Sequence, residues 1–320
     1  MGGLSRKLAY INTLKNNNVN PLILDAGGAL FAHTQYSVLN LPSVQYKAKA
    51  FLEGMEKIGC NAFNIGDYDL VAGYDFLKSL EKNSKIPFIS ANLRETKSGD
   101  LAFKPFKILE KNKLKIGIIG VTDYLPQTVS ELYKENYLET GKKYINQLKD
   151  EVDILVMLVG GHLNQKNTIL ETFKDADYIY LSRAVSNTRS TVPQQDGYPV
   201  FYTIGLSGKH LIEVKTTLNN DTSPVIDVTS YETQLSNIVR QLIRLKTTEK
   251  GQSIEEKYAE QPQVLAQIQH FEKRVKEIEN SLNKVVNKSE IKLIGLPKGM
   301  DYDVEMQSFI DKAIEEAKNQ

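Results

Sequence analysis

The feature that most restricts this chain is an alternation of short apolar runs with stretches of helical periodicity. Pro21 to Asp25, Asn61 to Gly66, Phe88 to Asn92, Lys115 to Val121, Asp153 to Val159, Asp177 to Leu181 and Val200 to Ile204 have the length and composition of buried strands. Helical patterns lie between most of them. One also precedes them, where Leu8, Ile11 and Leu14 recur within Ser5 to Asn17, and another covers Gln45 to Ile58. This order selects an α/β sandwich with mixed sheets flanked by helices. A packed core is within reach, because 41% of the 320 residues are hydrophobic.

Charge and cysteine content remove several function classes. Lys and Arg number 40 against 39 Asp and Glu, a formal net charge of +1, so no overall field favours nucleic acid or an anionic membrane. Cys60 is the single cysteine, which excludes an internal disulfide and any multi-cysteine metal site. Apolar runs such as Ile154 to Val159 fall far short of the ~18 residues that a transmembrane helix needs.

Past Gly208 the pattern changes. His210 to Leu218 and Pro224 to Thr229 read as late strands, for which an antiparallel arrangement is expected, and helical periodicity takes over at Tyr231. This predicts an α/β domain over residues 1–231 and a helical extension over 232–320. Leu235, Ile238, Val239, Leu242 and Leu245 form one stripe of the extension. Val264, Ile268, Phe271, Val275, Ile278, Leu282 and Val285 form a second, whose alternating spacings of four and three are those of a coiled-coil seam. This stripe either packs on the preceding helix of its own chain or engages a second copy or another protein. A strand over Ile291 to Leu296 and a helix over Val304 to Ala317 close the chain.

In α/β folds ligands gather at the carboxyl ends of strands. There stand Asp25, the turn Gly66-Asp67-Tyr68-Asp69, and His162 after Gly160-Gly161. The blocks Gly2-Gly3-Leu4-Ser5-Arg6-Lys7, Leu22-Ile23-Leu24-Asp25-Ala26-Gly27, Asn64-Ile65-Gly66-Asp67-Tyr68-Asp69-Leu70, Ser90-Ala91-Asn92-Leu93 and Lys115-Ile116-Gly117-Ile118-Ile119-Gly120-Val121 follow one another in that order. Together they resemble the calcineurin-like metallophosphoesterases of the 5′-nucleotidase and UDP-sugar hydrolase type, over residues 2 to 218. The resemblance implies that family's sandwich fold, a two-metal centre that activates water against a phosphoester, and an exported location, although the chain shows no signal peptide.

The family's ligand motifs do not transfer intact. Its Asp-x-His strand would precede Gly2 and is absent, so that strand is expected to be lost, trimmed or cut off by a misplaced start. The bridging carboxylate of its Gly-Asp motif falls on Gly28. Its Gly-Asn-His-Glu falls on Gly66-Asp67-Tyr68-Asp69, which keeps an oxygen donor in Asp67 but puts Tyr68 where the general-acid histidine belongs. Its lone later histidine aligns with Gly160, with His162 two residues on. Its Gly-His-x-His falls on Ser182-Arg183-Ala184-Val185, a cation where metal ligands belong. The four histidines of the chain, His33, His162, His210 and His270, are too few and too scattered for the family pattern.

The expectation is therefore a degenerate metallophosphoesterase in a binding or assembly role, with no cofactor, and with Asp25, Tyr68, Asp69 and Arg183 as candidate binding residues. An anion held by Arg183 and turn amides would be a corollary. The alternative is an active hydrolase with a rearranged, single-metal site, in which Asp25, Asp67 and His162 hold Mn, Zn or Fe and Asp67 and His162 act in catalysis. Plainer roles stand beside each residue. Asp25 can satisfy the N–H groups of its own turn, Arg183 can pair with Asp25 or Asp67, Tyr68 can pack on the sheet end, and Cys60 can be a small core residue.

Overall fold

The computed structural model describes residues 3–189, 191–206, 208–220 and 222–320; Gly2, which opens the first resembling block, lies outside them. In chain order the elements run α1 (Leu4–Asn16), β1 (Leu24–Asp25), α2 (Leu41–Ile58), β2 (Ala62–Asn64), α3 (Tyr74–Asn83), β3 (Phe88–Ile89), β4 (Leu93–Glu95), β5 (Phe106–Lys111), β6 (Leu114–Thr122) and β7 (Leu132–Lys134). Then come α4 (Tyr137–Leu148), β8 (Ile154–Gly160), α5 (Lys166–Thr172), β9 (Tyr178–Ser182), β10 (Val200–Tyr202), β11 (His210–Thr217) and β12 (Val225–Asp227). The last are α6 (Thr229–Lys246), α7 (Ile254–Lys257), α8 (Pro262–Leu282), β13 (Asn287–Gly295) and α9 (Val304–Glu316). Internal contacts divide the chain into two units. One is Met1–Thr188, Gly197–Ile212 and Leu293–Gln320, and the other is Arg189–Asp196 and Glu213–Lys292.

The first unit is an α/β sandwich. Strands β1, β2 and β3 form a parallel sheet, and a mixed sheet has the order β10-β9-β8-β6-β5, with only β5 running antiparallel. A core of Leu4, Ile11, Leu52, Phe63, Leu77, Phe88, Met306 and Ile310 joins the first sheet to α1, α2, α3 and α9. Another, with Ile119, Val121, Ile145, Leu148, Met157, Phe173 and Ile179, joins the second sheet to α4 and α5. The sheets approach closely at Gly120, where a Cβ would stand 2.3 Å from Asn64 Oδ1 and 2.8 Å from Ile89 Cγ1. No side chain fits there, so this glycine sets the spacing that brings the strand ends of both sheets to one site.

The sequence reading has no strand at β5. Its burial alternates between half-buried and exposed, so it lacks the apolar run that marks the central strands. A two-residue turn joins it to β6, with Asn112 and Lys113 both at positive φ (52° and 67°), the backbone favoured in tight hairpins. Helix α9 packs on α1 and α2 within the first unit, whereas the sequence pattern places one boundary near residue 231.

In the second unit β11, β13 and β12 lie in that order, and β12 runs parallel to β13. The two late strands, expected to be antiparallel, do not pair directly, because β13 lies between them. Helix α8 packs against α6, with Lys246 paired to Glu272. Ile268 and Ile278 of the seam are buried, Val264, Phe271, Val275 and Leu282 are half-buried, and Val285 lies beyond the helix end.

Candidate functional site

The site is built where β1, β2, β6, β8 and β9 of the first unit end. Strand β1 stops at Asp25, whose Oδ1 accepts the N–H of Gly27 at 2.9 Å. The chain then turns through Gly27 and Gly28 at φ 96° and 78°, left-handed backbone that glycine adopts without strain. The turn lies against the end of β2. A Cβ on Gly27 would stand 2.6 Å from Asn64 O, and Asn64 Nδ2 donates to Ala26 O and Val121 O, stitching both sheets to this turn.

After β2, residues Asp67–Leu70 form one 3-10 turn. Asp69 is fully buried, and its carboxylate accepts four backbone N–H donations: Gly28 at 2.7 Å, Ala29 at 2.9 Å, Leu30 at 3.0 Å and Gly66 at 2.8 Å. Burial pushes its carboxyl up to about 7, and the N–H donations oppose that shift. The turn amides expected to be open to an external anion therefore hold the chain's own Asp69.

Asp67, 7% exposed, is paired through Oδ2 with Nη1 of Arg183. Its Oδ1 is buried with no hydrogen-bond partner among the described residues. Burial raises the Asp67 carboxyl, while Arg183 and the neighbouring N–H groups of Tyr68 and Asp67 pull it down. Arg183 follows β9 at φ 66°, uncommon for a residue with a side chain. Its guanidinium lies 4.2 Å from the ring centroid of Tyr124 and 5.0 Å from that of Tyr68, cation–π distances that fix it between two aromatic faces. His162 is exposed after β8 and meets Tyr124 edge-to-face at 4.6 Å.

The structure thus brings together Asp67, Tyr68, Asp69, His162 and Arg183, with Asp25 on the adjoining turn. His33 packs at a tilt against Tyr36 in an exposed loop, and His270 lies exposed on α8. Cys60 is buried, its thiol donates to Ala62 O at 3.3 Å, and burial pushes it far above the ordinary thiol range, so it is an inert core residue. Tyr124 is the residue that the sequence reading does not single out. Its signal is positional: it lies two residues past Thr122, the last residue of β6.

Each candidate carboxylate already has a partner within the chain. Asp67 is committed to a guanidinium, Asp69 to four amides and Asp25 to its own turn. A Cβ on Gly28, where the resemblance expects a bridging carboxylate, would face the Tyr68 ring at 3.7 Å. Among the described residues no group of three or more His, Cys, Asp or Glu side chains is placed to hold a metal ion.

No family profile matches the chain. It is 35% identical to the protein UshA of Salmonella pullorum over 116 residues, which are 36% of this chain and 21% of that protein. It is 30% identical to the NAD 5′-nucleotidase of Haemophilus influenzae over 190 residues, 56% of this chain and 30% of the relative. The match therefore spans less than a third of either relative. Among solved structures, the calcineurin-like phosphoesterase YfkN from Bacillus subtilis superposes with a TM-score of 0.63 at 16% identity, covering 99% of this chain and 91% of that one. The 5′-nucleotidase precursor from Thermus thermophilus gives 0.60 at 15%, covering 99% and 54%. The fold is that of the calcineurin-like phosphoesterases, and part of the sequence is similar to UshA and 5′-nucleotidase proteins.

Proposed function

We propose that this protein keeps the phosphoesterase fold without two-metal hydrolysis and serves a binding or assembly role. The observation that carries this reading is the Asp67–Arg183 pair at the strand ends where the family's metal ligands are expected. Phosphoester hydrolysis needs an activated water, a clamp on the phosphate and a proton for the leaving group. Here Asp67 is neutralised by a fixed cation. Tyr68 stands at the general-acid position, and a phenol is a poor proton donor near neutral pH. Asp69 orders two loops in place of polarising a water. With α8 packed on α6, Val264, Phe271, Val275 and Leu282 stay only half-buried, and the area they leave exposed is the surface this reading offers to a second copy or a protein partner. An exported location belongs to the same proposal and rests on the resemblance. No helix among the described residues is long and apolar enough to cross a membrane.

The test is metal content and turnover on the purified protein. No stoichiometric Mn, Zn or Fe and no cleavage of a 5′-nucleotide or a generic phosphodiester with added Mn²⁺ is expected. Bound metal with turnover abolished by Asp67→Ala would establish instead the single-metal hydrolase built on Asp25, Asp67 and His162.

A further inference from the structure

Two charges that the fold creates at its strand ends are met from within the chain. The amides of Gly28, Ala29, Leu30 and Gly66 converge as an anion nest and enclose the Asp69 carboxylate. The Asp67 carboxylate, with its side chain 10% exposed, faces Arg183. Arg183 reaches it from backbone at φ 66°, a conformation that costs an L-residue of order 1 kcal/mol. Two tyrosine rings hold its planar head in place. A buried carboxylate without a counter-charge is strongly destabilising, so this strain is tolerated because it delivers the guanidinium.

We propose that Arg183 is a built-in cation. Its guanidinium does permanently for Asp67 what a bound metal ion would do reversibly, tying the 67–70 turn to the segment after β9 and making both independent of divalent ions. This goes beyond the non-hydrolytic reading, which turns on chemistry, and concerns what holds the site together.

Thermal unfolding of the full chain, followed by circular dichroism, tests it. For the unaltered protein, EDTA and ~1 mM Mn²⁺ are each expected to leave the midpoint within about 1 °C, because an ion that does not bind cannot shift it. Arg183→Ala is expected to lower the midpoint by roughly 6–15 °C, the cost of a stranded buried carboxylate in a domain of this size. In an Asp67→Asn background the same substitution is expected to lower it by less than half as much, because no charge is then stranded. A fall with EDTA, a clear rise with Mn²⁺, or equal losses in both backgrounds would each overturn the proposal. Equal losses would mean that Arg183 acts only by packing on Tyr68 and Tyr124. Should Arg183→Ala not fold, the EDTA and Mn²⁺ melts of the unaltered chain decide alone. Turnover without any effect of metal on stability would refute the functional reading and leave this one standing; metal-dependent stability without turnover would do the reverse.

Discussion

Asp69→Asn is the sharpest probe of how the site is held. The carboxylate meets Gly28 and Gly66 N–H through Oδ2 and Ala29 and Leu30 N–H through Oδ1. An amide keeps one oxygen, so two of the four donors would face an NH₂ group that cannot accept. At ~1–3 kcal/mol for each stranded buried donor, the loss is about 2–6 kcal/mol. For a domain of this size that lowers the thermal midpoint by very roughly 10 °C. The chain has no Trp and 16 Tyr, so far-UV circular dichroism in urea is the suitable global assay. Hydrogen exchange gives the local one: the amides of residues 28–30 and 66 are expected to lose protection first, while those of β6 and β8 keep theirs. A loss under about 1 kcal/mol with unchanged exchange at these amides would refute the staple role of Asp69.

Three further outcomes are expected. Asp177 accepts Leu155 N–H and burial pushes its carboxyl up to about 6; the native state then binds the extra proton between about 3.8 and 6, so stability falls as pH rises through that window and levels off above it. Asp177→Asn, which keeps the acceptor oxygen, should flatten urea midpoints over that range, and an unchanged slope would contradict it. Gly120→Ala drives a methyl into Asn64 and Ile89 and should cost about 1–3 kcal/mol or more in urea unfolding, with no loss meaning that the sheets can move apart. Light scattering should give a mass above the single-chain 36.1 kDa, reduced to one chain by Val275→Glu; a single-chain mass for the unaltered protein would remove the assembly part of the proposed role.

The sequence made the central strands and the long helices legible because their apolar periods are uninterrupted, as in β6, β8 and α8. Strand β5 escaped notice because its face is half polar. The return of α9 to α1 and α2 depends on contacts distant in sequence, such as Ser5 Oγ donating at 2.8 Å to Gln307 Oε1, 302 residues away, which no local pattern encodes. At the site, position at strand ends located Asp25, Asp67, Asp69 and His162, the family resemblance added Arg183, and both the Asp25 turn bond and an Arg183 pair with a nearby carboxylate were among the roles suggested. It did not show that Asp69 fills the amide nest, since that requires Gly27 and Gly28 to fold back over residue 66. Nor did it show Tyr124 beneath Arg183, because β6 and β9 meet only through β8.

The most direct measurement is anomalous diffraction from crystals of the protein soaked in Mn²⁺. Arg183 is expected to remain on Asp67 with no manganese peak beside it. Two peaks about 3.5–4 Å apart next to Asp67, with the guanidinium displaced, would contradict the claim that this phosphoesterase fold fills its own site.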